Sequence, residues 1–248
     1  MDLGIEGRCA AVAGASAGLG LATARALAAE GVRVAMCSRD AGRIETAAKQ
    51  VGELATPLVA DVSTEAGADD FIARALAVHD GRVDILLANA GGPPPGRAVD
   101  VDPAVASEWV DRSLFAHMAM CRAVLPGMRE RGWGRILAIT TVGVKEPLPG
   151  MIYSNVARTG LTAYLKQLSG EVIADGVTVN SLLPNSHLTE RLESLIPDIA
   201  AYAASLPSGR TGDADDFGRI AAFLCSEQAN FLTGVALPVD GGTGRTLA

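Results

Sequence analysis

The sequence predicts a doubly wound α/β fold: about seven parallel strands in one sheet, with helices on both faces. Three observations carry that expectation. Short β-branched or apolar runs alternate with longer helical stretches along the whole chain. The strand runs are nearly continuous in apolar character rather than alternating, as expected where helices cover both faces of a sheet. A glycine-rich turn joins the first strand to the first helix, on the side where such sheets bind ligands.

The elements follow in order. Arg8–Ala13 reads as a strand and Leu19–Glu30 as a helix. Strand Val32–Ser38 and helix Ala41–Val51 form the next unit. Strand Ala55–Ala60 precedes helix Glu65–Val78, and strand Val83–Ala88 precedes a long helix over roughly Pro103–Arg131. Strand Arg135–Thr140, helix Ser154–Ala174 and strand Val177–Leu183 repeat the pattern. A polar segment follows, then a helix near Ala214–Ser226 and a last strand, Ala236–Val239. There is no internal repeat or linker, so residues 1–248 read as one domain, with about 185–212 covering the substrate side. The low-complexity patch Gly91–Gly96 is too short for a linker and sits just beyond a strand's C-terminal end.

Bulk composition narrows the function. Apolar residues make up 49% of the 248, ample for a buried core. A net charge of −7 argues against nucleic acid or an anionic membrane as partner. No apolar run approaches the roughly 20 residues that cross a bilayer, and the acidic start lacks a signal-peptide pattern. Cys9, Cys37, Cys121 and Cys225 are scattered without metal-like spacing. They point to a reduced, cytoplasmic setting and to no metal site.

The cofactor end comes first along the chain. Ala13-Gly14-Ala15-Ser16-Ala17-Gly18-Leu19-Gly20 opens the first helix. Glycines there let backbone approach a pyrophosphate, and the helix N-terminus presents N–H groups and a positive dipole end. The second strand ends Ser38-Arg39-Asp40. An arginine there suits the 2′-phosphate of NADP(H), which is preferred, with NAD(H) possible; the simpler alternative is that Arg39 is a solvated turn residue and Asp40 caps the next helix.

These residues, with four further motifs, carry a family resemblance. Asp61-Val62 follows the third strand and Asn89-Ala90-Gly91 the fourth. Pro184-Asn185-Ser186-His187-Leu188-Thr189 and Leu232-Thr233-Gly234…Val239-Asp240-Gly241-Gly242 come later. In this order they resemble the short-chain dehydrogenase/reductase family over essentially the whole chain. The resemblance implies a Rossmann-type domain. It also implies cofactor contacts at Gly14, Ser16, Gly18, Leu19, Gly20, Ser38, Arg39, Asp61, Val62, Asn89, Ala90, Gly91, Arg158, Pro184 and Thr189. It further implies hydride transfer between nicotinamide and a carbonyl or alcohol substrate, and assembly as a homodimer or homotetramer through the two long helices.

The catalytic end departs from that pattern. The family's tetrad resembles Asn/Ser/Tyr/Lys. Here Ser113 takes the Asn place and Thr141 the Ser place. Ser154 lies thirteen residues after Thr141 and Arg158 four after Ser154, matching the family's steps, so Ser154 overlays the Tyr and Arg158 the Lys. A second register keeps Tyr153 as the acid but places Ala157 at the Lys position, with Arg158 turned about 140° away from Tyr153. The chain is closest to an atypical branch resembling β-ketoacyl-acyl-carrier-protein reductases, which shares Gly91–Gly96, Leu125–Arg135 and Ser154-Asn155-x-x-Arg158.

A serine hydroxyl is far less acidic than a phenol, and arginine stays protonated. His187, beside the nicotinamide end, is therefore a candidate proton donor. His117 reads as packed, and His79 as a solvated helix-end residue. An oxidoreductase with an altered proton path is the leading reading. A dinucleotide-binding sensor or assembly subunit, or a lyase or isomerase on the same fold, are the alternatives.

Overall fold

The computed structural model describes residues 1–246. Seven strands form one sheet in the order β3-β2-β1-β4-β5-β6-β7, every neighbouring pair parallel. The strands are β1 (Cys9–Val12), β2 (Arg33–Ser38), β3 (Ala55–Val59), β4 (Ile85–Ala88), β5 (Gly134–Ile139), β6 (Val177–Pro184) and β7 (Ala236–Val239). The connecting helices are α1 (Gly18–Ala29), α2 (Ala41–Val51), α3 (Glu65–Val78), α4 (Pro103–Val110), α5 (Ala116–Glu130) and α6 (Ile152–Val172). Two short helices, α7 (Glu190–Leu195) and α8 (Ile199–Ser205), and then α9 (Ala214–Leu224) complete the chain.

Successive strand residues point to opposite faces, and each face has its own core. Ala11 and Ala13 face the core that holds Phe71 of α3, Met120 of α5 and Leu161 of α6. Ala10 and Val12 face the core that holds Leu21 of α1, Ile44 of α2 and Phe217 of α9. Both faces are thus covered, which explains the unbroken apolar strands. The strand order reverses between β1 and β4, where their connections leave in opposite directions and open a crevice at the C-terminal ends.

Helix starts follow local chemistry. Asp40 accepts from the Arg43 N–H at 2.9 Å and starts α2, and Thr64 accepts from the Gly67 N–H at 3.1 Å and starts α3. Asp213 does the same for α9.

Three sequence expectations change. The long helix is interrupted by a π turn at Asp111–Phe115, separating α4 from α5. The polar segment after β6 contains α7 and α8. His79 is buried rather than solvated, at 2% exposure, with Nε2 3.3 Å from the Ala10 carbonyl oxygen. The end of α3 turns under β1 there, and burial lowers the His79 pKa.

The two-sided core makes a clear expectation for stability. Phe71 is fully buried. Phe71→Ala should cost about 3–5 kcal/mol in denaturant unfolding, whereas Val99→Ala, at a position 76% exposed, should change it by less than about 0.5 kcal/mol.

Candidate active site

The turn before α1 is shaped for an anion. Gly14 and Gly18 have positive φ, and a Cβ on Gly20 would lie 2.2 Å from the Gly14 carbonyl oxygen. Only glycine fits these positions. Asn89 braces the turn by donating from Nδ2 to the carbonyls of Ala13 and Gly14, at 3.4 and 3.3 Å. The N-cap of α1 is Ala17, which has no side-chain oxygen to accept from the first-turn N–H groups. In α2, α3 and α9 a side chain fills that role. The start of α1 therefore keeps its donors for a ligand.

Two cavities meet at this turn, sharing Gly14, Ala17, Ala90, Gly91 and Gly92. The outer one, of about 470 Å³, is lined by Ser16, Ser38, Arg39, Asp61 and Val62. Arg39 is exposed there, and no carboxylate among the described residues pairs with it. Asp40 caps α2, as the simpler reading of it anticipated. The inner cavity, of about 410 Å³, is lined by Gly18, Leu19, Gly20, Asn89, Thr141, Ser154, Arg158, Pro184 and Thr189. A long, two-lobed anionic ligand fits this arrangement, and a nicotinamide dinucleotide has that shape and charge.

The start of α6 decides which side chains meet the inner cavity. The tyrosine hydroxyl of Tyr153 accepts from the Asp102 backbone N–H at 3.0 Å. Its ring lies on Gly96, where a Cβ would come within 2.5 Å of Cε2. Asn155 makes a paired contact with Leu148, donating to its carbonyl at 2.9 Å and accepting from its N–H at 3.4 Å. These two clamps fix the rotation of the first turn. Tyr153 is buried against the 96–102 loop and does not line the cavity, while Ser154 and, one turn on, Arg158 do.

The remaining geometry is polar and oriented. Thr141 Oγ1 accepts from the Gly143 N–H at 3.2 Å, so its own hydrogen stays available to a ligand. Arg158 Nη1 donates to the Thr140 carbonyl at 3.0 Å. Burial, then the nearby Arg191 charge, lowers the Arg158 pKa to about 10, so it remains a cation at neutral pH.

Ser113 sits behind this wall, buried in the π turn that packs on α6, and its Oγ has no partner. His117 is buried one turn further on. His187 borders the inner cavity, and its ring packs edge-on to Phe217, with centroids 5.1 Å apart, and against Gly212. Burial lowers its pKa. All four cysteines are buried and unpaired. Burial raises Cys37, Cys121 and Cys225 to about 12. No cluster of metal-ligating side chains occurs among the described residues.

Sequence reasoning missed three residues here. Trp109 and Arg112 line the outer cavity beside Arg39, and Arg191 lines the inner one. Arg112 adjoins Ser113 in sequence, but only the π turn shows which way it faces. Arg191 comes two residues after Thr189, in a segment whose helices carry no clear periodicity.

The whole chain is similar to several known proteins. A family model described as Enoyl-(Acyl carrier protein) reductase matches residues 14–244. Dehydrogenase/reductase SDR family member 4 of Sus scrofa is 34% identical over 250 residues, covering 98% of this chain and 89% of the relative. The 3-oxoacyl-[acyl-carrier-protein] reductase FabG of Escherichia coli (strain K12) is 30% identical, covering 97% and 98%. The structure of L-sorbose reductase from Gluconobacter frateurii, complexed with NADPH and L-sorbose, superposes with a TM-score of 0.92. It is 30% identical, with complete coverage of both chains.

Two predictions arise from the geometry. Tyr153→Phe removes the acceptor of the Asp102 N–H, which lies at an exposed residue and can turn to water, so unfolding stability should fall by about 0.5–1.5 kcal/mol. Dinucleotide affinity, measured by fluorescence titration, should stay unchanged. The second concerns pH. Burial, then the Arg158 charge, lowers the His117 pKa to about 4. The unfolded chain, with histidine near 6.5, therefore takes up the proton first as pH falls. Stability is lost from about pH 6.5 down to about pH 4. His117→Gln should flatten that loss by up to roughly 3 kcal/mol, read from denaturant midpoints across the range.

Proposed function

The chain belongs to the short-chain dehydrogenase/reductase family, and from that premise we propose an NADP(H)-dependent oxidoreductase acting on a carbonyl or alcohol, with a proton path that uses no tyrosine. The observation that carries this reading is one continuous crevice. It runs from Arg39 and Asp61, past the uncapped start of α1, to Thr141, Ser154 and Arg158.

When bound, the dinucleotide supplies or accepts the hydride. The protein's part is holding and proton handling. Gly14, Ser16, Gly18, Leu19 and Gly20 cradle the pyrophosphate, and Ala90 and Gly91 pass it towards the inner cavity. Asp61 and Val62 border the adenine end; Ser38 and Arg39 face the ribose, and the Arg39 fork takes a 2′-phosphate. Arg39 supports NADP(H) over NAD(H). Pro184 and Thr189 hold the nicotinamide end. Thr141 Oγ1 donates to the substrate oxygen, and the Arg158 guanidinium stabilises negative charge that develops there. Ser154 Oγ passes a proton between cleft water and that oxygen. Lacking a phenol, the site is slower than a tyrosine-based one by about 10²–10⁴-fold. Ser113 braces α6 from behind, while the inward packing of His187 supports a structural place for it.

Residues 1–248 act as one domain in this reading, with about 185–212 covering the substrate. Apolar Phe115 and Val156 are exposed on the long helices, and Phe231 and Leu232 precede β7. They support a homodimer or homotetramer formed through those surfaces. No described helix is long and apolar enough to cross a membrane. The unpaired buried cysteines support a reducing, cytoplasmic setting.

The test is NADPH oxidation against a panel of ketones, aldehydes and quinones. Turnover is expected, with Arg39→Ala weakening NADPH affinity about 10–100-fold and NADH affinity less than about 3-fold. Tight NADPH binding without turnover across the panel would favour a dinucleotide-binding sensor or assembly subunit, a reading favoured by the loss of the tyrosine and lysine.

A further inference from the structure

The inner cavity is cationic in a chain whose net charge is −7. Arg158 lines its wall and Arg191, on α7, its rim. The one carboxylate that borders it, Glu190, is engaged with Arg43 at 2.5 Å. Neither arginine has a carboxylate partner among the described residues.

Each is aimed instead by a single backbone carbonyl. Arg158 Nη1 donates to Thr140, and Arg191 Nη2 donates to Pro93 at 2.6 Å. A guanidinium carries five N–H donors, so most of their capacity faces the cavity unused. The start of α6 adds to the field, because Met151 offers no side-chain cap there. Ser154, 3% exposed, borders this same space. The two cations also oppose each other: the Arg191 charge is one of the two causes that lower Arg158. A bound anion would relieve that opposition.

Resting on the oxidoreductase reading above, we propose that the substrate carries a carboxylate attached to, or one methylene away from, the carbon of its reacting carbonyl or alcohol. Arg191 grips the carboxylate, and Arg158 flanks the reacting oxygen. This class is a short keto or hydroxy acid. The same two cations would also suit the pyrophosphate of the dinucleotide, so the test separates the two anions.

The probes are acetoacetate and its neutral ethyl ester, used with the full chain. Saturation-transfer NMR on the NADP⁺-loaded protein reads binding without turnover, and kcat/KM with NADPH reads reduction. Acetoacetate should bind, and should be preferred over the ester by about 10-fold or more. Arg191→Gln should remove that preference through KM, leaving the ester and the NADPH Kd within about 3-fold of wild type. Arg191→Lys, which keeps the charge, should retain part of it. Equal binding of acid and ester, or no binding of acetoacetate to the loaded chain, overturns the proposal. So does an NADPH Kd weakened as much as the acetoacetate KM, which would assign Arg191 to the pyrophosphate. Failure to bind NADPH at all is a different result: it sinks the oxidoreductase reading itself, and the substrate class with it.

Discussion

The rotation of α6 at its first turn governs what this protein presents to a ligand. Successive helix residues point about 100° apart, so a single-residue change in register would exchange Tyr153 for Ser154 in the crevice. Two polar clamps hold the turn where it is. The Tyr153 hydroxyl is held by the Asp102 N–H, and the Asn155 amide is paired with the Leu148 backbone. Gly96 makes the first clamp workable, because any side chain there would collide with the tyrosine ring. The second clamp also ties α6 to the loop after Thr141. The same residues that orient the helix thereby shape the substrate side.

The opposite end of the crevice depends on something left out. Ala17 cannot cap α1, and Gly14, Gly18 and Gly20 keep side chains away from the turn. The exposed donors and the nearby space suit a pyrophosphate. The switch point between β1 and β4 then directs a ligand from that turn towards Thr141. Cofactor holding and proton handling are thus carried by separate parts of the fold. In the proposed reading, exchange of the tyrosine and lysine would leave the first in place while changing the second.

Much of this was legible in the sequence. Continuous apolar strands and regular helical intervals predicted the fold, and the spacing from Thr141 to Ser154 to Arg158 picked out three residues that line one cavity. Three features were not legible, for physical reasons. The π turn at Asp111–Phe115 packs against α6, and helical periodicity does not reveal it. His79 looked like a helix-end residue because its burial comes from β1, far away in sequence. Arg191 could be connected with Arg158 only once α7 was folded over the Gly92–Pro93 backbone. In each case a contact between distant elements overrode a local pattern.

The central claim is that Ser154 and Arg158, and not Tyr153, face the reacting centre. A crystal structure of the full chain with NADP⁺ bound tests it most directly. The account predicts Ser154 Oγ and the Arg158 guanidinium beside the nicotinamide ring and its ribose, with the Tyr153 hydroxyl still on the Asp102 N–H. A tyrosine hydroxyl turned to within hydrogen-bond reach of a substrate oxygen at nicotinamide C4 would contradict it.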